Sequence, residues 1–124
     1  MEIIETKKAP AAIGPYSQAI AHNGFVFTSG QIPICPETGS IDVFTIEEQA
    51  EQVIANLKAV LEAAGSSLEN VVKSTCFLKN MGDFAAFNGV YEKYFVNKPA
   101  RSCVEVGALP KDSLVEIEVV AIQN

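Results

Sequence analysis

The stretch "PARSCVEV", residues 99–106, places an arginine, which cannot shed its charge, inside a segment with the apolar content of a buried or half-buried strand. Side-chain alternation puts Arg101, Cys103 and Glu105 on one face of that strand and Ser102, Val104 and Val106 on the other. In "LVEIEVVAI", residues 114–122, Glu116 and Glu118 point one way while Val115, Ile117 and Val119 point the other. Read as adjacent strands, the two segments bring arginine, cysteine and carboxylates toward a common region. Two chemistries fit that pattern. An Arg–Glu ion pair would satisfy both charges, since buried charges are usually paired. Alternatively, Arg101 is held ready for a small carboxylate, which its planar fork can contact bidentately.

Other residues have two readings each. Cys103 is a nucleophile or a small buried thiol, and no sequence neighbour would lower its pKa. Gly30 ends the apolar run "GFVFTSG" and is either a turn glycine or a point of close backbone approach where an N–H meets an anion. Tyr16 follows Gly14 and Pro15 in a stiff loop, so its hydroxyl is either positioned for a ligand or simply packed. Asn88 interrupts an apolar helical stripe and serves either a pocket or a local hydrogen bond. His22 is the one histidine, in an expected hairpin turn. A multi-histidine metal centre is excluded, and any Ser-His-Asp or Cys-His arrangement would have to use that residue.

Bulk properties narrow the function classes. The chain has 124 residues, 48% of them hydrophobic, which fits a single domain spanning 1–124. It is richer in apolar residues than a small monomer needs, so part of that surplus is expected to cover a subunit interface. A net charge of −6 and a pI near 4.7, with the nine Lys and Arg scattered, leave no basic footprint for nucleic acid or an anionic membrane. Cys35, Cys76 and Cys103 form no CxxC motif, and neither GxGxxG nor a P-loop occurs. The N-terminus lacks a signal-peptide pattern and no apolar run approaches membrane-spanning length. A reducing cytoplasm with free thiols is the expectation.

The elements that must position these residues are legible. Residues 1–6 form a first strand, and "APAAIGPYSQ" an ordered loop. Residues 17–22 and 24–30 pair through a His22-Asn23-Gly24 turn. A helix over 45–64 carries a Thr45/Glu48 capping box, an apolar stripe of Val53, Leu57, Val60, Leu61 and Ala64, and a Gly65 cap. A strand at 71–78, a helix at 81–95 started by Asp83, and strands at 100–106 and 114–122 follow. The predicted fold is α+β: one mixed, six-stranded sheet with both helices on one face and a partner subunit covering the other.

Taken together, "IGPYSQAI", "FTSGQIP" and "PARSCVEVGALPKDSLVEIE" resemble the RidA family of reactive intermediate deaminases, over about residues 9–122. The resemblance implies a chorismate-mutase-like subunit, a homotrimer with clefts between subunits, and no cofactor or metal. It implies hydrolysis of 2-imino or enamine acids, such as 2-aminoacrylate, 2-iminopropanoate and 2-iminobutanoate, to 2-oxo acids and ammonia. Such intermediates leak from pyridoxal-phosphate dehydratases, which are the implied functional partners. By the same resemblance, Arg101 clamps the carboxylate, and the Gly30 amide, with Ser29 beside it, adds a donor there. Glu116 positions water as the acid–base group, and Tyr16 borders the pocket. Cys103 offers its backbone carbonyl to the imine nitrogen, and Asn88 reaches the pocket edge across the interface. One departure stands out: "YFVNKPA" looks shortened, with Lys98 where the family often has an aromatic, which bears on side-chain preference. A non-catalytic trimer that binds 2-oxo acids, and a ribonuclease or translation inhibitor, are the competing readings.

Overall fold

The computed structural model describes all 124 residues. Six strands form one sheet: β1 (Glu2–Ile4), β2 (Ala19–His22), β3 (Phe25–Thr28), β4 (Val71–Leu78), β5 (Ala100–Glu105) and β6 (Val115–Ile122). Their spatial order is β1-β2-β3-β6-β4-β5, with β4 and β5 parallel and every other pair antiparallel. The two long helices, α1 (Ile46–Ala63) and α2 (Phe84–Tyr94), are the crossovers from β3 to β4 and from β4 to β5. Both crossovers step in the same direction across the sheet, and a right-handed connection then leaves both helices on the same face.

Local sequence explains most of these boundaries. His22 pairs with Phe25 across a two-residue turn whose Asn23 and Gly24 have φ of 52° and 82°, the left-handed pair that a tight hairpin needs. Thr45 Oγ1 accepts from the Glu48 N–H at 3.1 Å, the N-cap arm of the expected box at the start of α1, whereas the Glu48 carboxylate returns to the Thr45 hydroxyl rather than to its N–H. At its other end Gly65 has φ 75°. Ser66 N–H donates to the Leu61 carbonyl and Gly65 N–H to that of Glu62, the paired reverse bonds of a Schellman end. Asp83 departs from expectation: it lies in a short 3-10 turn (Met81–Asp83) and its side chain caps nothing. The open Met81 N–H is met instead by Glu105 Oε1, at 2.7 Å, from the end of β5.

The core lies between the sheet and the helices, with Val26, Val53, Leu57, Val60, Leu61, Leu78, Phe87, Val115 and Ile117 fully buried. The other sheet face is not covered by a helix, and its portion across β1, β2, β3 and the C-terminal end of β6 is apolar. Register sets Ile3, Ile20, Phe27 and Val120 in one row across β1, β2, β3 and β6, and Phe25 opposite Ile122 beside it. Ile3, Phe25, Phe27 and Ile122 are each more than 40% exposed. A contiguous patch of this kind is characteristic of a protein interface rather than of a solvated surface. No helix of the chain is long and apolar enough to cross a membrane.

Candidate active site

Strand order corrects one sequence-based expectation. β5 and β6 are not adjacent, because β4 lies between them. Register fixes the faces: Arg101 aligns with Ser74 and Val119, and Cys103 with Cys76 and Ile117, all on the helix side. Glu116 aligns with Phe77 and Val104 on the bare side. Two strand spacings and three residues of rise separate the Arg101 and Glu116 Cα atoms by about 14 Å, with side chains pointing to opposite faces. The expected cluster therefore exists as two half-sites.

The first half-site is built around Arg101. Its guanidinium carbon sits 4.8 Å from the Tyr91 ring centroid and 5.5 Å from that of Phe84, both on α2. Its Nη1 donates to Asn88 Oδ1 at 2.7 Å. Asn88 thus holds the arginine of its own chain. Tyr91 is fixed in turn by a 2.6 Å hydrogen bond with Ser74 Oγ and by stacking on Phe95. The ion-pair reading of Arg101 fails within the chain. The only ion pairs are Lys79–Asp112 and Lys93–Glu51, so the guanidinium is oriented by two rings and an amide and neutralised by nothing. It opens into a cleft of about 350 Å³ lined also by Asn88, Tyr91, Glu92, Lys98 and Pro99.

Cys103 lies on the same strand. Burial pushes its thiol pKa up, against a smaller lowering by Arg101, so it stays protonated at neutral pH. Cys76 beside it is pushed up to about 12 by burial. Neither thiol is a ready nucleophile. The Cys103 backbone is better placed: Val106 N–H donates to the Leu78 carbonyl, so even-numbered residues of β5 face β4 and the Cys103 carbonyl faces the open sheet edge.

The second half-site gathers Tyr16, Ser29, Gly30 and Glu116 around a cleft of about 310 Å³. Gly30 and Glu116 are fitted to one another. A Cβ on Gly30 would overlap Glu116 Oε2 and come within 2.8 Å of its Cδ, so the carboxylate occupies the space a side chain would take. The N–H groups of Ser29 and Gln31 are bonded to the Gln18 and Ile117 carbonyls, whereas that of Gly30 has no partner in the chain. Desolvation, and then the neighbouring charge of Glu118, raise the Glu116 pKa above its ordinary value of 4.5. Tyr16 is 55% exposed at the rim. The Ser29 hydroxyl, beside the Gly30 amide, donates to the Ser17 carbonyl at 2.6 Å and braces the Tyr16 loop. His22 is the exposed last residue of β2, next to the hairpin turn and outside both half-sites.

Sequence reading missed the buried amides that hold these walls. Gln18 Nε2 donates to the carbonyls of Thr6, Ala9 and Pro10, and its Oε1 accepts from the Thr6 N–H. Asn56 Nδ2 donates to the Ile32 and Ile34 carbonyls, and Gln49 ties the Val43 carbonyl to the Leu114 N–H just before β6. Asn56 carried a signal, being a polar residue three positions after Val53 on the packed face of α1. Gln18→Ala leaves several loop groups unpaired, so it should cost about 2–4 kcal/mol in urea denaturation and loosen the Tyr16 loop to proteolysis.

Comparisons agree with this architecture. The sequence profile of the family described as Endoribonuclease L-PSP matches residues 6–123. The RutC family protein slr0709 of Synechocystis is 58% identical over 125 residues, covering 98% of this chain and 96% of that one. TdcF of Escherichia coli K12, provisionally named a reactive intermediate deaminase, is 46% identical over 127 residues, covering 99% and 98%. A crystal structure of E. coli TdcF with bound serine superposes with a TM-score of 0.95 at 45% identity over the full length of both chains. A Thermotoga maritima protein provisionally described as an endoribonuclease gives a TM-score of 0.97 at 51% identity, covering 100% and 98%. The chain belongs to the L-PSP family, the group that also holds the RutC and Rid proteins.

Proposed function

We propose that the protein is a hydrolytic deaminase of small 2-imino and enamine acids, releasing 2-oxo acids and ammonia, at a site shared between two copies of the chain. The observation that supports this most strongly is the unneutralised guanidinium of Arg101, held near two rings and an amide. A charge oriented at that entropic expense, with no acid beside it, suits a planar carboxylate arriving from solution. The Gly30–Glu116 half-site supplies the rest, and the bare apolar face on which it opens is where a second copy packs. A closed homotrimer would repeat that contact three times and leave no apolar face exposed.

In this reading Arg101 of one subunit and the Gly30 N–H of its neighbour hold the substrate carboxylate, which fixes C2 against a water on Glu116. Water adds to the electrophilic C2 of the iminium as its proton passes to the Glu116 carboxylate, giving a neutral carbinolamine. Glu116 returns that proton to the amine and, ionised again, takes the hydroxyl proton as the C2–N bond breaks and the carbonyl forms, then passes it to the departing ammonia. The products are the 2-oxo acid and ammonium. Tyr16 borders the site, and the outward Cys103 carbonyl accepts from the imine nitrogen. Positioning and one proton-handling carboxylate suffice, because the iminium carbon is already activated.

The test is a coupled assay in which a threonine or serine dehydratase generates the imine and 2-oxo acid release is followed. Acceleration over the spontaneous rate supports the deaminase. Tight binding of pyruvate or 2-oxobutanoate without acceleration would instead identify a metabolite-binding regulator. The ribonuclease reading has less support, given the −6 charge and a lone histidine outside both half-sites.

Glu116 makes a pH prediction. A base must be ionised to accept a proton, and this carboxyl is held above 4.5. The rate should therefore fall as pH drops through an apparent pKa above that value. Glu116→Gln should lose the acidic limb and about 10²–10⁴ in kcat while binding pyruvate nearly unchanged. If affinity and rate fell in proportion, Glu116 would be a binding group.

A further inference from the structure

The cleft into which Arg101 opens contains a second cation, Lys98, separated from it along the chain by Pro99 and Ala100. Lys98 holds an unusual conformation. Its φ is 52°, in the left-handed region that disfavours a lysine, and it directly precedes a proline, which disfavours compact backbone further. Neighbouring bonds impose this shape. Lys98 N–H donates to the Phe95 carbonyl at 3.2 Å, and Asn97 Nδ2 donates to the Glu69 carbonyl at 2.8 Å. Glycine or asparagine would fill the position with less strain, so the backbone gives no reason for a lysine there. Lys98 makes no ion pair in the chain. Glu92 is the one acid lining the cleft, so its lining carries two cations and a single carboxylate.

Resting on the deaminase reading above, we infer that Lys98 is a specificity-determining residue that receives a second acidic group at the far end of the substrate, so that this chain favours dicarboxylic 2-imino acids. Arg101 takes the carboxylate on C2, as it does for every substrate, and Lys98 takes the side-chain carboxylate. A substrate ending in a methyl group leaves that ammonium hydrated and draws nothing from it. The alternative role for Lys98 is a favourable charge near the C-terminal end of α2, which would affect stability without affecting substrate choice.

The discriminating experiment generates imines with flavin amino-acid oxidases acting on aspartate and on alanine, and compares hydrolysis above background. The wild-type protein should have at least a fivefold higher kcat/KM for 2-iminosuccinate than for 2-iminopropanoate. Lys98→Asn, which suits the left-handed turn, should cost the dicarboxylic substrate about tenfold or more, chiefly in KM, and the monocarboxylic one less than twofold. Lys98→Arg should restore most of the difference. Equal turnover of both imines by the wild type, or an equal loss on both in Lys98→Asn, overturns the inference and leaves the deaminase reading intact. Turnover of neither imine would overturn both.

Discussion

Arg101→Lys should lose at least a hundredfold in kcat/KM on 2-aminoacrylate while folding and assembling normally, and Arg101→Ala should lose about 10²–10⁴. The size follows from what is removed. A bidentate, charge-assisted contact amounts to two hydrogen bonds at about 1.5–3 kcal/mol each. Lysine keeps the charge but not the fork, and it has no planar guanidinium to set near the Phe84 and Tyr91 rings while bonding Asn88 Oδ1. The fold depends little on the residue, which is half-buried, sits on an edge strand and lacks an ion-pair partner in the chain. Its loss should cost about 1 kcal/mol of cation–ring attraction in thermal melts. Undiminished turnover by Arg101→Ala would remove the carboxylate clamp from the account.

Gly30→Ala should give a stable protein with about 10²-fold lower activity. Gly30 is not among the glycines with positive φ, so alanine fits its backbone, and the exchange should shift stability by less than about 1 kcal/mol. The methyl group collides with Glu116 Oε2, and a flexible carboxylate yields by swinging away. Fold and chemistry thus separate at one position. Circular dichroism and melting temperature should match the wild type, and the oxo-acid release rate should not. A variant that melted early would mean that the close approach serves packing, and one that retained full rate would place the working carboxylate elsewhere.

Elements were legible in the sequence where local signals and packing agreed. The Asn23-Gly24 turn, the Thr45/Glu48 box, the Gly65 end and the stripe of α1 each follow from backbone chemistry within a few residues. Strand order is not local, and at the site the sequence pattern does not reveal it. The α2 crossover sends β5 to the outer edge, and β6 returns to fill the slot between β3 and β4, so two segments consecutive in the sequence are not neighbours in the sheet. Parity within each strand was correct, yet an intervening strand whose register sets its own facing put Arg101 and Glu116 on opposite sides. Asp83 misled for a related reason: a nearby acid is the usual cap, but Glu105 from another element reached the open Met81 N–H. The rings around Arg101 were seen only as an apolar stripe, because periodicity does not distinguish a core ring from one that orients a cation.

The central claim is that each site combines Arg101 of one subunit with Glu116 of the next. Mixed assemblies test it most directly: Arg101→Ala and Glu116→Gln chains, each inactive alone, are unfolded together in equal amounts, refolded, and assayed for imine hydrolysis. In a closed ring with random mixing, about a quarter of the interfaces pair an intact Arg101 with an intact Glu116, so about a quarter of wild-type activity should return. If the mixture stays as inactive as its components while size analysis shows that the chains have co-assembled, the shared site is contradicted.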